Sequence, residues 1–375
     1  YYIEHVMKIP LCRPSISKKD LQIVNKSLKS GWLTHGPENL KFEKNFNDFL
    51  NSNYSISMNS CTSALECAIK CLKKKGEIIV PSFTWVSSAN AIINTGCKPV
   101  FVDIDLNSRN IDPNRLEKNI TKRTIAIMVV HFSGLPCDMD PILKVSKKYN
   151  LPIIEDSAET LGAKYKGNFT GTFGLGCFSF FPTKNITTTE GGMLTLKKKS
   201  MYEEAKKLIA HGIKKERKYF WQRESSLAGH NYRLPNHLAA LGASQLRKLK
   251  RFNNERNKIA QIYNQGLKKY SDLISVPKIP KNFTHSYQMY TIRVKQKLRN
   301  NFIFFLKSKG IEASAHFDPP LHKQKLFQKY KKDKLHNTEI LSSEIVTLPM
   351  FPSLKKIEIN FILKVIGNWY LIQKK

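Results

Sequence analysis

From about residue 54 onward, short β-rich runs alternate with helical stretches, and this rhythm constrains the fold more than any other feature of the chain. Each connection is long enough for a right-handed crossover between parallel strands. The predicted strands cover residues 54–58, 77–80, 99–102, 124–130 and 151–155, and the helices between them cover residues 62–73, 89–94 and 141–149. The pattern predicts an α/β fold with a mostly parallel sheet.

The later part of the chain departs from this rhythm twice. The β-rich runs 177–181 and 192–196 are joined by a segment too short for a crossover helix, which predicts an antiparallel pair. After about residue 236 we expect one long helix through residue 267, strands near 287–294, a loop at 348–352 and a helix from about residue 356. We therefore predict an N-terminal segment (1–16), a large domain (17–235) and a smaller C-terminal domain (236–375).

The charge of the chain is compatible with several kinds of partner. Lys and Arg number 62 against 29 acidic residues, a formal net charge of +33, which suits a nucleic acid, an anionic membrane or a phosphorylated substrate. The lysines are spread through amphipathic segments and form no single basic arm, a distribution typical of a solvated surface. We expect neither a nucleic acid nor a membrane as partner.

Location and metal content are predicted from what the sequence lacks. No run reaches the length of a membrane helix and the N-terminus lacks a signal-peptide pattern, so we expect a cytoplasmic protein. The seven cysteines form no Cys-x-x-Cys pair and are interpreted as reduced core thiols. Cys67 and Cys71 lie one helical turn apart, but no further ligands complete a set, so we expect no metal.

A stretch of small polar residues follows the first predicted strand, at the start of a helix. It contains Ser60, Cys61, Thr62 and Ser63. Free backbone N–H groups and hydroxyls at a helix start can bind a phosphate with help from the helix dipole. An ordinary helix cap explains the same residues equally well.

Two further places follow predicted strands, where ligands bind in parallel sheets. Asp156 could be a helix cap, a metal ligand or the partner of a buried cation. Lys184 could be a nucleophilic amine, although most lysines in such loops are only solvated. Trp85 could be a core aromatic or a flat face for a ring. Together, a phosphate cradle, a carboxylate and a lysine are what pyridoxal phosphate requires.

These residues, with other motifs over about residues 9–361, resemble the DegT-type nucleotide-sugar aminotransferases. The motifs are Gly31-Trp32-Leu33-Thr34 with Gly36-Pro37, Phe42-Glu43, Pro81-Ser82-Phe83-Thr84-Trp85, His131-Phe132-Ser133-Gly134 with Asp138-Met139-Asp140, Glu155-Asp156-Ser157-Ala158-Glu159, Ser179-Phe180, Glu190-Gly191-Gly192, His211-Gly212, Asn231-Tyr232-Arg233, and His316-Phe317 with Pro320-Leu321-His322. The resemblance implies the fold of fold-type-I pyridoxal-phosphate enzymes. That fold has a large domain with a mostly parallel seven-stranded sheet and a smaller C-terminal α/β domain.

The resemblance also implies roles for the residues nearest the chemistry. Lys184 is similar to the family's Schiff-base lysine, Asp156 to the partner of the pyridine nitrogen, and Trp85 to the stacking ring. Thr189 replaces the first Gly of the family's usual Gly-Glu-Gly-Gly run.

The remaining cofactor contacts are implied in the same way. Thr62 and Ser179 resemble phosphate ligands, and Cys61 stands beside the phosphate where many members have Gly. Glu159 stands where many members have Gln or His. Asn231 resembles a residue that reaches the cofactor phosphate of a neighbouring subunit, which implies a homodimer with shared sites.

The implied activity is the transfer of an amino group from an amino acid, with L-glutamate expected, to a nucleotide-linked keto sugar. Glu159 favours perosamine-synthase-like members that aminate a 4-keto-6-deoxy sugar for surface polysaccharide or glycan biosynthesis. The alternatives are a 3-keto sugar aminotransferase or a pyridoxal-phosphate lyase on the same scaffold. A regulatory or nucleic-acid-binding protein that retained the fold is a rival of another class, which the presence of Lys184 and Asp156 disfavours.

Overall fold

The computed structural model describes residues 8–213, 219, 221–331 and 334–374. Its helices are α1 (Lys18–Lys29), α2 (Pro37–Leu50), α3 (Cys61–Cys71), α4 (Val86–Asn94), α5 (Met139–Lys148), α6 (Lys199–Leu208), α7 (Asn236–Leu246), α8 (Leu249–Leu267), α9 (Gln296–Ser308), α10 (His336–Glu344) and α11 (Lys356–Lys374). Of the predicted N-terminal segment, residues 1–7 lie outside the described residues.

The strands form one large sheet and two small ones. They are β1 (Tyr54–Met58), β2 (Glu77–Pro81), β3 (Lys98–Val102), β4 (Thr124–Val130), β5 (Ile153–Asp156), β6 (Lys164–Tyr165), β7 (Asn168–Phe169), β8 (Leu175–Ser179), β9 (Gly192–Leu196), β10 (Ile274–Ser275), β11 (Phe283–Thr284), β12 (Tyr290–Val294) and β13 (Ile345–Leu348). The predicted strand at 177–181 is thus found two residues earlier, and the one predicted from 287 begins at Tyr290.

The large sheet has seven strands in the order β1-β9-β8-β5-β4-β2-β3. Strands β3, β2, β4, β5 and β8 run parallel, whereas β9 is antiparallel to both β8 and β1. This arrangement confirms the predicted mostly parallel sheet and the predicted antiparallel pair. It also brings the carboxyl ends of the parallel strands to one edge, where ligands bind in such folds.

Helices cover both faces of this sheet, so its strands are apolar on both sides. Ile78 packs in a core with residues of α3 and α4, whereas its neighbour Ile79 packs in a second core with residues of α5. Because side chains alternate along a strand, both cores need apolar residues, which explains the continuous apolar runs in the sequence.

The C-terminal part builds a separate core around the three-stranded sheet β10-β12-β13 and helices α8, α9 and α11. Ile9 belongs to this core and forms a parallel bridge with Ile311. The described part of the N-terminal segment therefore packs against the C-terminal part of the chain. The domain limits themselves stay a prediction.

The prediction of one long helix over residues 236–267 is wrong. Two helices, α7 and α8, occupy this stretch and are separated at Arg247 and Lys248. The physical reason is that each packs against different partners, α7 against α1 and α2, and α8 against α11. Among the described helices, none is long and apolar enough to cross a membrane.

Candidate active site

A cavity of about 360 Å³ lies at the carboxyl edge of the large sheet. Its volume is in the range typical of small-molecule sites. The predicted site residues that line it are Cys61, Thr62, Trp85, Asp156, Glu159, Ser179 and Lys184. Segments from the second half of the chain close it, through Gln288, Met289, His316 and Phe317.

The start of α3 forms one wall of the cavity. Ser60 caps the helix, because its Oγ accepts a hydrogen bond from the N–H of Ser63 at 3.1 Å. The first N–H groups of a helix have no intrahelical acceptor and carry the positive end of its dipole, so Cys61 and Thr62 lie where an anion is stabilised. Gly192 makes this wall possible: a Cβ there would lie 2.4 Å from the carbonyl of Ser60.

Asp156 ends β5 and is only 6% exposed. Its Oδ2 accepts a hydrogen bond from Ser88 Oγ at 2.7 Å, and its Oδ1 accepts one from the N–H of Ala158 at 3.2 Å. Burial raises the pKa of Asp156, and these two bonds and the charge of Lys184 oppose that shift. A carboxylate with so few donors retains the capacity to accept a further hydrogen bond from a protonated ring nitrogen.

Lys184 lies in the loop between β8 and β9, with its Nζ 3.4 Å from Glu159 Oε1. The other oxygen of Glu159 accepts a hydrogen bond from the N–H of Ser133 at 2.7 Å. Ser133 has a φ of +61°, a conformation unusual for a residue other than glycine. The amine is thus held beside a fixed carboxylate inside the cavity.

The loop that follows Lys184 contains a residue in a conformation that favours glycine. Thr189 has a φ of +71°. Its N–H donates a hydrogen bond to Thr187 Oγ1 at 2.9 Å. Thr189 therefore adopts a glycine-like backbone at the position where the resemblance implies Gly.

Trp85 is the N-cap residue of α4 and is 58% exposed, so it is not a buried core aromatic. Its ring centroid lies 5.9 Å from that of Phe317, at an interplanar angle of 46°. The indole therefore offers a flat apolar face to the cavity, as stacking on a cofactor ring requires.

On the opposite face of β5, Glu155 fixes the strand end that carries Asp156. Its carboxylate accepts hydrogen bonds from the backbone N–H groups of Gly171, Phe173 and Gly174 at 2.7–2.8 Å. His131 Nε2 lies 3.1 Å from the same carboxylate, and His131 Nδ1 accepts a bond from the N–H of Cys137, so the ring proton is on Nε2.

Sequence reasoning gave no role to three side chains that the structure brings to the site: Ser88, Gln288 and His316. Gln288 Nε2 donates to the carbonyl of Thr183 at 3.0 Å, next to Lys184. His316 Nδ1 lies 2.9 Å from Thr347 Oγ1, and burial lowers the pKa of His316. His316 was visible as part of a motif. Gln288 had no local signal, because it reaches the cavity from more than a hundred residues beyond Lys184 in the chain.

Asn231 differs from the other predicted site residues, because it is exposed and does not line the described cavity. The chain around it is held against α3: the N–H of Asn59 donates to the carbonyl of Tyr232 at 2.8 Å, and Tyr232 OH donates to Glu66. Asn231 Oδ1 accepts a bond from Arg233 Nε at 3.2 Å, which leaves the amide Nδ2 as a donor.

The residues of the cavity fit pyridoxal phosphate. The start of α3 suits its phosphate, the buried carboxylate of Asp156 suits its ring nitrogen, and Lys184 supplies the amine that it requires. The seven cysteines are free thiols. Within the described ranges, no group of three or more His, Cys, Asp or Glu side chains is placed to hold a metal.

Comparison with known proteins points to the same chemistry. The model of the DegT/DnrJ/EryC1/StrS aminotransferase family matches residues 14–366. The GDP-perosamine synthase of Escherichia coli O157:H7 is 36% identical over 96% of this chain and 98% of its own.

Solved structures agree with the fold over nearly the whole chain. The Helicobacter pylori aminotransferase PseC, involved in the biosynthesis of pseudoaminic acid, superposes with a TM-score of 0.91 at 29% identity, over 97% of this chain and 99% of its own. A Streptococcus pneumoniae structure, described as a sugar aminotransferase in its PLP form, superposes with a TM-score of 0.90 at 27% identity, over 97% and 99% of the two chains.

Proposed function

This chain belongs to the DegT/DnrJ/EryC1/StrS aminotransferase family of pyridoxal-phosphate-dependent sugar aminotransferases, and we propose that it aminates a keto sugar carried on a nucleotide. The observation that carries the proposal is the placement of Lys184 and Asp156 in one cavity, beside the start of α3. The amino donor is an amino acid, for which we propose L-glutamate. We propose that the protein works in the cytoplasm.

Pyridoxal phosphate, when bound, supplies an electron sink for the carbon that carries the amino group. Thr62 and Ser179 would hold its phosphate, with Cys61 beside them, and Trp85 would support its ring. The carboxylate of Asp156 would accept a hydrogen bond from the protonated ring nitrogen.

Two residues that face each other in the cavity have distinct roles. Lys184 Nζ would hold the cofactor and would supply the amine that accepts and returns a proton as general base and acid. Glu159 Oε1 lies 3.4 Å from this nitrogen and would orient the amine within the cavity.

The test of this function is a panel of nucleotide-linked 4-keto and 3-keto sugars incubated with glutamate, with identification of the amino sugar formed. Wild-type protein should form an amino sugar, and Lys184→Ala should form none. Lys199→Ala removes an exposed lysine from the start of α6 and should behave as wild type. Reduction with borohydride and peptide mapping should label Lys184, and labelling of another lysine would refute its assignment.

For the position of amination, we propose carbon 4 of a 4-keto-6-deoxy sugar destined for a surface polysaccharide or glycan. The similarity to GDP-perosamine synthase and the acidic residue Glu159 support it. The same panel decides, because an amino group at carbon 3, or an elimination product without nitrogen, would replace this proposal with one of its alternatives.

We further propose that the protein is a homodimer in which Asn231 serves the cofactor phosphate of the neighbouring subunit. Its exposure, its position outside the cavity of its own chain and the free donor on its amide support this role. The segment is also anchored to α3, so that Asn231 is presented from a fixed base.

Mixing two inactive variants tests the shared site. A mixed dimer of Lys184→Ala and Asn231→Ala has both lesions in one site and none in the other, so activity should recover to about a quarter of wild type after random exchange. Recovery that stays at the level of the separate variants, with exchange confirmed, would show that Asn231 does not act across the interface.

A further inference from the structure

Three buried side chains form a chain of hydrogen bonds that ends on Asp156, and two of them, Thr84 and Asp156, line the cavity. Thr84 Oγ1 lies 2.8 Å from Ser88 Oγ, and Ser88 Oγ lies 2.7 Å from Asp156 Oδ2. Thr84 is 2% exposed and Ser88 is fully buried. Trp85 lies between the two hydroxyl residues in sequence, at the start of α4.

The direction of this chain follows from counting hydrogens. A serine hydroxyl has one hydrogen, and Ser88 donates it to the ionised Asp156. Ser88 Oγ must then accept the hydrogen of Thr84. Both hydroxyl dipoles therefore point toward the carboxylate. This alignment stabilises the ionised form of Asp156 and gives no such stabilisation to the protonated form.

We propose that Thr84 and Ser88 act as a hydroxyl relay that orients Asp156 and keeps it ionised toward the cofactor. The relay is a positioning device, because both residues act through Asp156, and it rests on the role proposed for that residue. It also ties Asp156 to the first turn of α4, which carries Trp85. One local unit thus sets both the ring partner and the stacking surface.

Burial favours the neutral form of Asp156, and the relay opposes it. The titratable groups that face the carboxyl are Lys184 and Glu159 across the cavity and the thiols of Cys61 and Cys177. The substitutions below change none of these groups. A change in the titration of Asp156 would therefore report on the relay.

The chain offers a matched control for Ser88. Ser244 is also buried and donates from its Oγ to a buried carboxylate, Asp20 Oδ1, at the same distance of 2.7 Å. Ser244→Ala and Ser88→Ala each remove one serine-to-carboxylate bond, but only Ser88 bonds a carboxylate that lines the cavity. For Thr84→Val the control is Thr95→Val, which removes a buried hydroxyl at the other end of α4.

The experiment measures two properties that do not depend on turnover. One is the dissociation constant of pyridoxal phosphate for cofactor-free protein, followed by visible absorbance. The other is the pKa of Asp156 by carbon NMR of cofactor-free protein with labelled aspartate, assigned by the signal missing in Asp156→Asn.

In Ser88→Ala we expect the dissociation constant to rise about tenfold and the pKa of Asp156 to rise by about one unit. Thr84→Val should shift both in the same direction by less, about threefold in affinity, because it is one bond further away. Thr84→Ser keeps the hydroxyl and should restore wild-type values. Ser244→Ala and Thr95→Val should leave both values unchanged.

Suppose that Asp156→Asn binds pyridoxal phosphate more weakly but Ser88→Ala keeps the wild-type affinity and the wild-type pKa of Asp156. That result would overturn the relay and leave the role of Asp156 intact. An effect of Thr84→Val larger than that of Ser88→Ala would also overturn it. Wild-type affinity in Asp156→Asn would refute the role of Asp156 and the relay together.

Discussion

The junction of α1 with α7 and the edge of the cavity each contain a buried aspartate, but the two side chains receive very different numbers of hydrogen bonds. Asp20, at the junction, accepts bonds from the backbone and side chain of Ser17 and from Ser244, Gln245 and Lys248. Asp156, at the cavity, accepts one from Ser88 and one from the N–H of Ala158.

The pKa values follow from these surroundings. Burial disfavours the charge of Asp20, but the bonds from Lys248, Ser17 and Ser244 outweigh burial and lower the pKa of Asp20 to about 2. At Asp156 burial outweighs the bonds, and its pKa is raised. A carboxylate whose acceptor sites are filled by its own chain stabilises the fold, whereas one with unfilled sites can bind a ligand.

The largest expected effect comes from exchanging each aspartate for asparagine. Asp156→Asn should lower turnover by about a hundredfold or more and barely change the urea unfolding midpoint. Asp20→Asn should lower the free energy of unfolding by about 3 kcal/mol, because an amide cannot accept the bonds from Ser17, Ser244, Gln245 and Lys248 together, and should leave the turnover of folded enzyme unchanged. Steady-state kinetics and urea unfolding of both variants measure the contrast, and an Asp20→Asn enzyme that melts normally but turns over slowly would break it.

An intermediate effect is the pH dependence of stability, which should have opposite signs at the two sites. The folded pKa of Asp20 lies below its unfolded value, so its contribution is present above pH 4 and is lost as pH falls toward 2. That contribution is about 2 kcal/mol. The raised pKa of Asp156 means that cofactor-free protein loses stability as pH rises through it.

Urea unfolding of cofactor-free protein across this pH range tests the signs. The slope between pH 4 and 2 should shrink in Asp20→Asn. Asp156→Asn should be at least as stable as wild type near neutral pH. If the change of unfolding free energy between pH 4 and 2 were lost in Asp156→Asn and kept in Asp20→Asn, the acid sensitivity would come from Asp156 and this prediction would be wrong.

The smallest expected effect compares a buried with an exposed ion pair. Lys248, whose side chain is 18% exposed, pairs with Asp20, and Lys248→Gln should cost about 1 kcal/mol of unfolding free energy. Lys44 and Asp48 form an exposed pair on α2, and Lys44→Gln should cost less than about 0.5 kcal/mol. Similar losses in the two variants would mean that burial does not strengthen the interaction with Asp20.

The sequence predicted the parts of the fold that depend on local pattern. Most strands from residue 54 to Asp156 were recognisable as short β-rich runs separated by helices, although no α-helix lies among the described residues between β3 and β4. The break between α7 and α8 at Arg247 and Lys248 was not recognisable, because the spacing of polar and apolar residues continues through it. The two helices are separate because they pack against different partners.

The same distinction holds at the site. Lys184, Asp156 and Trp85 could be proposed because each lies at the end of a strand or in the segment that follows one. Thr84 belongs to a recognised motif, and Ser88 lies one helical turn beyond it. The bond from Ser88 to Asp156, however, forms only because α4 and β5 lie side by side in the fold. Gln288 meets the carbonyl of Thr183 only because two distant segments fold together, and no local spacing encodes such a contact.

The position of β1 at the edge of the large sheet has a consequence for the order in which the molecule can fold. β1 is the first strand of the sheet in the chain, yet it pairs with β9. The pairing of Tyr54 with Leu196 therefore cannot form before the chain has been made as far as β9. Contacts between such distant residues form slowly, and during synthesis the N-terminal part emerges first. β1 leads directly into α3, whose start we propose binds the phosphate, and the loop that contains Lys184 directly precedes β9. A growing chain therefore carries each separate piece of the site long before the pairing of these two strands assembles them.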